Sequence, residues 1–225
     1  MPTAPQIAGS ADAYRKIKDG ILALRYQPGQ KLSEAKLAAE LKVGRSPVRS
    51  ALARLERDGW VVVLPQSGTF VRDFSAGEIA AMCELRLLLE SHAARVAAQR
   101  VSGDELATLR GQFETLKARG VENHFEQFLA LDDQFHGMVY RAADNPLITR
   151  ILLNLRDQIH WVRVANAALP GRVEASLNEM DHVLDAMERR DAEAAAQAMQ
   201  LHIGNIAFSY DVAPVEGHKK AASAG

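Results

Sequence analysis

The spacing of apolar positions changes several times between residues 10 and 74. Ile17, Ile21 and Leu24 recur at helical spacing from Ala11 to about Arg25, after a loose Pro/Ala/Gly stretch at residues 1–9. The turn QPGQ follows, and Ser33 is placed to cap a shorter helix bearing Leu37, Ala38 and Leu41. After the turn KVG, a third stripe of Val48, Leu52 and Leu55 predicts a helix from about Pro47 to Arg57, ended near Gly59. The period then drops to that of strands. WVVVLP and GTFVRD are β-branched and aromatic runs joined across QSG, the pattern of a β-hairpin. Three helices with a tight turn before the third, then a hairpin, predict a winged helix-turn-helix over residues 10–73.

From Phe74 onward the strand signals stop. Ser75–Glu78 (SAGE) and Ser102–Glu105 (SGDE) both match the capping box S-x-x-E, and each opens a long helical segment. Further helical patterns cover about 122–143, 146–165, 171–190 and 191–210, broken at Gly120, Asn145-Pro146, Pro170-Gly171 and Asp191. The prediction for residues 75–210 is an all-α antiparallel bundle of about six helices, so the chain as a whole is mainly α. Residues 211–225 read as a disordered tail.

Composition adds three constraints. Apolar residues make up 48% of 225, ample for a packed core. The single cysteine, Cys83, excludes an intramolecular disulfide and suits a reducing compartment. No signal-like segment and no run of 18 apolar residues occurs, so the expectation is a cytoplasmic protein without a membrane partner. The net charge of −1 hides an asymmetry: residues 10–73 hold 12 Lys+Arg against 7 Asp+Glu, and the remainder holds 15 against 21. A basic head on an acidic body suits a nucleic-acid binder.

The sharpest local signal is GRSPVRSAL, from Gly44 to Leu52. Ser46 reads as an N-cap and Pro47 suits the first helical turn, yet Arg45 and Arg49 stand at the positive end of the helix dipole. Arg49 occupies the position where a capping box would place Glu or Gln. A recognition helix enters the major groove N-terminus first, where arginines meet guanine edges and phosphates, and that accounts for the placement. Residues PGQKLSEAKLAAELKVGRSPVRSALARLERDGWVVVLPQSGTFV resemble the DNA-binding domain of the GntR superfamily of bacterial transcription regulators. The resemblance implies a homodimer on a palindromic double-stranded DNA operator, with contacts from Arg45, Ser46, Arg49 and the wing tip at Gly68. Gly44, Ser50 and Ser67 depart from residues common in the family at those positions.

The body offers a second constellation. Asp132 and His136 lie four apart on one helical face, and His182 and His202 sit among apolar residues of two later helices. Three imidazoles and a carboxylate from three helices could converge on a divalent metal. An isolated histidine is ordinarily a core or surface residue, and His92, His124, His160 and His218 are read so. ELRLLLESHAARVAA, LDDQFHGMVYRAADNPLI and DHVLDAMERRDAEAAAQAMQLHI resemble the helical ligand-binding domain of the FadR subfamily, the FCD class. That resemblance assigns metal ligation to Asp132, His136, His182 and His202, with Asp133 the competing carboxylate. Zinc is the first expectation; nickel, manganese and iron accept similar ligands.

A metal with one carboxylate ligand would attract a small organic or sugar acid. The resemblance places Arg86, two positions from Glu84 in the family's E-L-R pattern, toward the effector cavity, so Arg86 is the expected clamp on that effector, acting on it alone without touching the metal ligands, and Asn205 could add an amide. Arg156 and Arg163 are further candidates. The leading reading is a ligand-responsive regulator, a repressor and not an enzyme. Its rivals are a sensor of the metal itself and a metal-dependent hydrolase with Glu179 as base.

Overall fold

The computed structural model describes residues 4–121, 124–167, 169 and 171–212. They fall into two compact units, one ending at Ser75 and the other beginning at Ala76. The predicted tail lies outside the described residues, apart from 211 and 212, which are helical.

The first unit begins with α1 (Ala4–Leu22), which buries Ala13, Ile17 and Ile21 against α3 (Arg45–Arg57). Between them lies α2 (Glu34–Leu41), whose N-cap Ser33 accepts from the Lys36 N–H and whose end is set by Lys42 in the left-handed region. The third helix starts earlier than its sequence suggests. Gly44, extended, is its N-cap, so Ser46 and Pro47 lie inside the first turn, where proline costs no hydrogen bond. Val48, Ala51, Leu52 and Leu55 are its buried face.

The hairpin forms as expected from β2 (Val61–Leu64) and β3 (Gly68–Val71), with Val61 opposite Val71 and Leu64 opposite Gly68. A two-residue strand, β1 (Lys31–Leu32), was not anticipated. It pairs antiparallel with the other edge of β3, giving the order β1-β3-β2. A strand this short has no period to read; its place is set by Gly29 and Gln30, which exchange backbone hydrogen bonds with Val71.

The second unit contains seven described helices: α4 (Ala76–Arg100), α5 (Gly103–Arg119), α6 (Phe125–Ala142), α7 (Pro146–Asn154), α8 (Arg156–Ala167), α9 (Arg172–Glu188) and α10 (Ala192–Val212). The predicted boundaries at Gly120, Asn145 and Asp191 are visible in their chemistry. Gly120 is the C-cap of α5 at φ +78°, Asn145 accepts from the N–H groups of Leu147 and Ile148, and Asp191 accepts from Ala194. The stretch read as one helix over 146–165 is two, divided at Leu155. Ala93, Ala94, Ala97 and Ala98 of α4 are buried without projecting, and they let α10 lie close along it with Ala195, Ala196, Met199 and Ile203. Arg110 of α5 ties to Asp181, Asp185 and Glu188 of α9. No described helix is long and apolar enough to cross a membrane.

Candidate DNA-reading helix and buried metal and effector site

In the first unit, Arg45, Ser46 and Arg49 are all exposed on the opening turns of α3. The Arg49 guanidinium is engaged by Glu34 of α2, Nε donating to Oε1 at 2.9 Å and Nη2 to Oε2 at 2.8 Å. Gly68 is not the tip of the wing. It is the first residue of β3, at φ +115°, and a Cβ there would lie 2.9 Å from the Lys31 side chain; the tip itself is residues 65–67. Backbone freedom and the close approach of Lys31 explain this glycine.

In the second unit, Asp132 and His136 of α6 and His202 of α10 are buried and bring three possible ligand atoms within 4.8 Å of one another. The two imidazole rings lie 5.4 Å apart. Each histidine has one ring nitrogen committed to a carboxylate. His136 Nδ1 is 2.7 Å from Glu90 Oε2, and His202 Nδ1 is 3.0 Å from Glu179 Oε2. The Nε2 atoms of both are buried without a hydrogen-bond partner. Carboxylates on Nδ1 leave Nε2 as the free electron pair, the arrangement found behind metal-ligating histidines. With Asp132 this makes three protein ligands and an open position, a donor set that fits a divalent ion such as zinc.

His182 does not join them. The buried residues of α9 are Arg172, Ser176, Leu177, Met180, Val183, Leu184, Ala186 and Met187, and His182 is exposed. Two residues from Met180 on a helix is a rotation of about 200°, which turns its side chain to solvent. Asp133 is also turned away; it pairs with Arg156 and Arg163 at the edge.

Arg86 of α4 is fully buried, and its Nε donates to Glu90 Oε1 at 2.6 Å. Both terminal nitrogens are buried with no partner. The expectation that Arg86 stands apart from the metal ligands is therefore corrected. Glu90 receives Arg86 on one oxygen and His136 on the other. Arg163 of α8, the weaker sequence candidate, is buried and donates to Asp132 at 2.7 Å, whereas Arg156 is exposed. Asn205 is exposed on α10, and its amide donates to Glu179 Oε1 at 2.8 Å. Glu179 also receives both terminal nitrogens of Arg172. Glu90, Tyr140 and Arg172 were missed, although Arg86 and Glu90 carry the i, i+4 spacing of a helical ion pair.

Burial alone would raise the Glu90 carboxyl. Arg86, then His136 and Arg163, overcome this and hold it well below the usual carboxylate range. Asp132 is likewise lowered against its burial, chiefly by Arg163. His136 is pushed down to about 4 by burial and then by Arg163, so its ring is neutral at pH 7. Burial and the Glu90 charge raise Tyr140, which stays a protonated phenol. The cluster thus combines the neutral His136 ring, ionised carboxylates already paired, and guanidinium hydrogens left over.

Residues 10–71 match the family of bacterial regulatory proteins called gntR, and residues 81–205 match the FCD domain. The chain belongs to the GntR family and carries an FCD domain. Relatives of this GntR-family regulator include the HTH-type transcriptional repressor RspR of Escherichia coli K12, 26% identical over 208 residues, covering 92% of this chain and 90% of RspR. The transcriptional repressor NanR of Cronobacter sakazakii is 29% identical, covering 77% and 74% of the two chains. Among solved structures, E. coli McbR/YncC superposes with a TM-score of 0.70 at 20% identity over 94% of this chain and 99% of its own. A GntR regulator from Rhodococcus sp. RHA1 gives 0.71 at 20% identity, covering 91% and 98%. The fold is that of GntR regulators, and the family is one of transcriptional regulators rather than enzymes.

The same charges predict the response of this regulator to acid. His136 has its folded value below its unfolded 6.5, so the unfolded chain takes the proton first and stability falls as pH drops from about 6.5 toward 4. Glu179, lowered from 4.5 to about 2 against burial by hydrogen bonds from Arg172, His202 and Asn205, adds a second loss that begins only below about pH 4.5 and continues toward 2. Urea midpoints measured from pH 7 to pH 4 should decline throughout. A flat profile between pH 6.5 and 5 would contradict the neutral assignment of His136.

Proposed function

We propose that this protein is a cytoplasmic homodimeric repressor that binds a palindromic operator through α3 and releases it when a small carboxylate occupies the FCD domain. The reading treats residues 10–73 as the DNA-binding domain and 75–210 as the effector domain. One observation carries the effector half. Asp132, His136 and His202 gather beside the Arg86–Glu90 pair, in a buried cluster where the Arg86 terminal nitrogens and both imidazole Nε2 atoms lack partners.

Asp132, His136 and His202 would hold a divalent ion, which supplies a positive centre for an anionic ligand. Zinc is favoured by the ligand types. Glu90 and Glu179 would orient the two rings, and Arg86 would present a fork to the effector carboxylate. Tyr140, kept protonated, adds a hydroxyl to the same charged group. Arg163 neutralises the Asp132 oxygen it touches and steadies that carboxylate. Regulation then requires that the effector bind the free and operator-bound forms with different affinity; equal affinity would shift nothing.

The test begins with metal content. The purified protein should carry about one ion per chain by elemental analysis, His202→Ala should lose most of it, and His182→Ala should keep it. Loss of metal should also lower the melting temperature of the wild type, because the ion stabilises the folded form by mass action. Equal metal in wild type and His202→Ala would remove His202 from the ligand set. Operator binding is then titrated with zinc alone and with zinc plus a panel of organic and sugar acids. Release by an acid supports the repressor reading, and release by zinc alone would make the ion itself the signal.

A further inference from the structure

Arg49 is exposed at 73% of its side chain, yet Glu34 holds it. The carboxylate takes the side edge of the guanidinium, Nε and Nη2. Of the five N–H hydrogens of an arginine, three then remain, two on Nη1 and one on Nη2. They form an end-on fork, the shape that matches O6 and N7 of guanine. Glu34 also feels Arg45: its carboxyl is lowered by the hydrogen bond from Arg49 first and, more weakly, by the charges of Arg49 and Arg45. A single acidic side chain from α2 thus pairs with Arg49 and lies within electrostatic reach of Arg45.

We propose that Glu34 is a specificity-determining residue of the reading head, because it fixes the plane of the Arg49 guanidinium and cancels its charge. The proposal rests on the assignment of Arg49 to DNA made above. Non-specific affinity comes from net positive charge meeting phosphate and releasing counterions, whatever the sequence. An arginine already paired with a carboxylate adds little to that attraction, and the carboxylate itself repels phosphate. A guanine edge is uncharged, and binding to it depends on donor direction, which Glu34 leaves intact and pre-set. The pair therefore weakens the arginine toward every duplex while preserving it for the correct base. Exposed ion pairs contribute little to folding, so this one has its effect on binding rather than on stability.

The experiment compares two duplexes by fluorescence anisotropy across a salt series. One is enriched from a random pool by the wild-type protein; the other has the same composition in shuffled order. The full chain is assayed as wild type, Glu34→Gln, Arg49→Ala and the double variant, with melting curves for each. Glu34→Gln should keep the wild-type melting temperature and bind the shuffled duplex about five- to tenfold more tightly per head, with a salt slope steeper by about one. Its affinity for the selected duplex should change by less than about twofold, measured against the tenfold that corresponds to ~1.4 kcal/mol. In the Arg49→Ala background most of the gain should vanish. An unchanged affinity for the shuffled duplex, or an equal gain with and without Arg49, overturns the proposal. Arg49→Ala that binds the selected duplex like wild type overturns the assignment of Arg49 to DNA and this inference with it. An impaired Arg49→Ala beside a silent Glu34→Gln overturns this inference alone.

Discussion

Arg86→Ala should destabilise the protein by about 3–5 kcal/mol, the cost typical of removing one partner from a buried ion pair. Glu90 is left with its carboxylate at 0% exposure, the neutral His136 ring in contact with it and only the weaker influence of the Arg163 charge. It must then either stay charged without a bonded cation or take a proton. Either outcome alters the hydrogen bond that orients His136, so metal content should fall along with stability. Denaturant unfolding of wild type, Arg86→Ala and the Arg86→Ala/Glu90→Gln pair measures this directly. The double variant should recover part of the loss, because it removes the stranded charge. A wild-type midpoint for Arg86→Ala would mean that Glu90 has another counter-charge. The experiment also bears on effector assays: a loss of response in this variant would not by itself identify a carboxylate clamp. Arg86→Lys, which keeps a cation but not the fork, is the better probe of that role.

Arg49→Ala should abolish useful operator binding. A bidentate contact to guanine is worth roughly 1–3 kcal/mol of discrimination, about ten- to a hundredfold or more, and a dimer would lose it in both heads. The expected result is loss of the shifted band with a selected duplex in a gel-shift titration and an unchanged dimer by size-exclusion chromatography. Reading α3 alone would predict a small gain in stability, since a cation leaves the positive end of the helix. The pairing with Glu34 offsets that gain, and the melting temperature should stay within error of wild type. Normal operator binding by this variant would remove Arg49 from the interface.

The helices were legible because each has its own period and its own punctuation. Ser33, Ser102, Asn145 and Gly120 all act as the caps or stops that their types suggest. Leu155 was not legible, because ILLNLRDQIHWV continues an apolar pattern through the break with neither Gly nor Pro. His182 is a different kind of error. The apolar stripe Leu177, Met180, Val183, Leu184 and Met187 already turns position 182 outward, and the period of α9 outweighs the residue type. Neither the pairing of Glu34 with Arg49 nor that of Glu90 with His136 could be assigned from spacing. Glu34 is 15 residues from Arg49, and Glu90 is 46 residues from His136, so the partners meet only after the helices pack. Arg49 looked anomalous in sequence because the anion that answers it, Glu34, comes from another helix.

The alanine seam between α4 and α10 has a mechanical consequence. The alanines of α4 bring it close along α10, so methylenes inserted on that side of the seam would be resisted as overpacking, and the two helices are expected to move together as one beam. Arg86, Glu90 and His202 are mounted on that beam, while Asp132, His136, Arg163 and Glu179 belong to the helices laid against it. A ligand spanning both sets would draw α6, α8 and α9 along that beam. The response of the site would then be closer to the throw of a lever than to the swelling of a cavity.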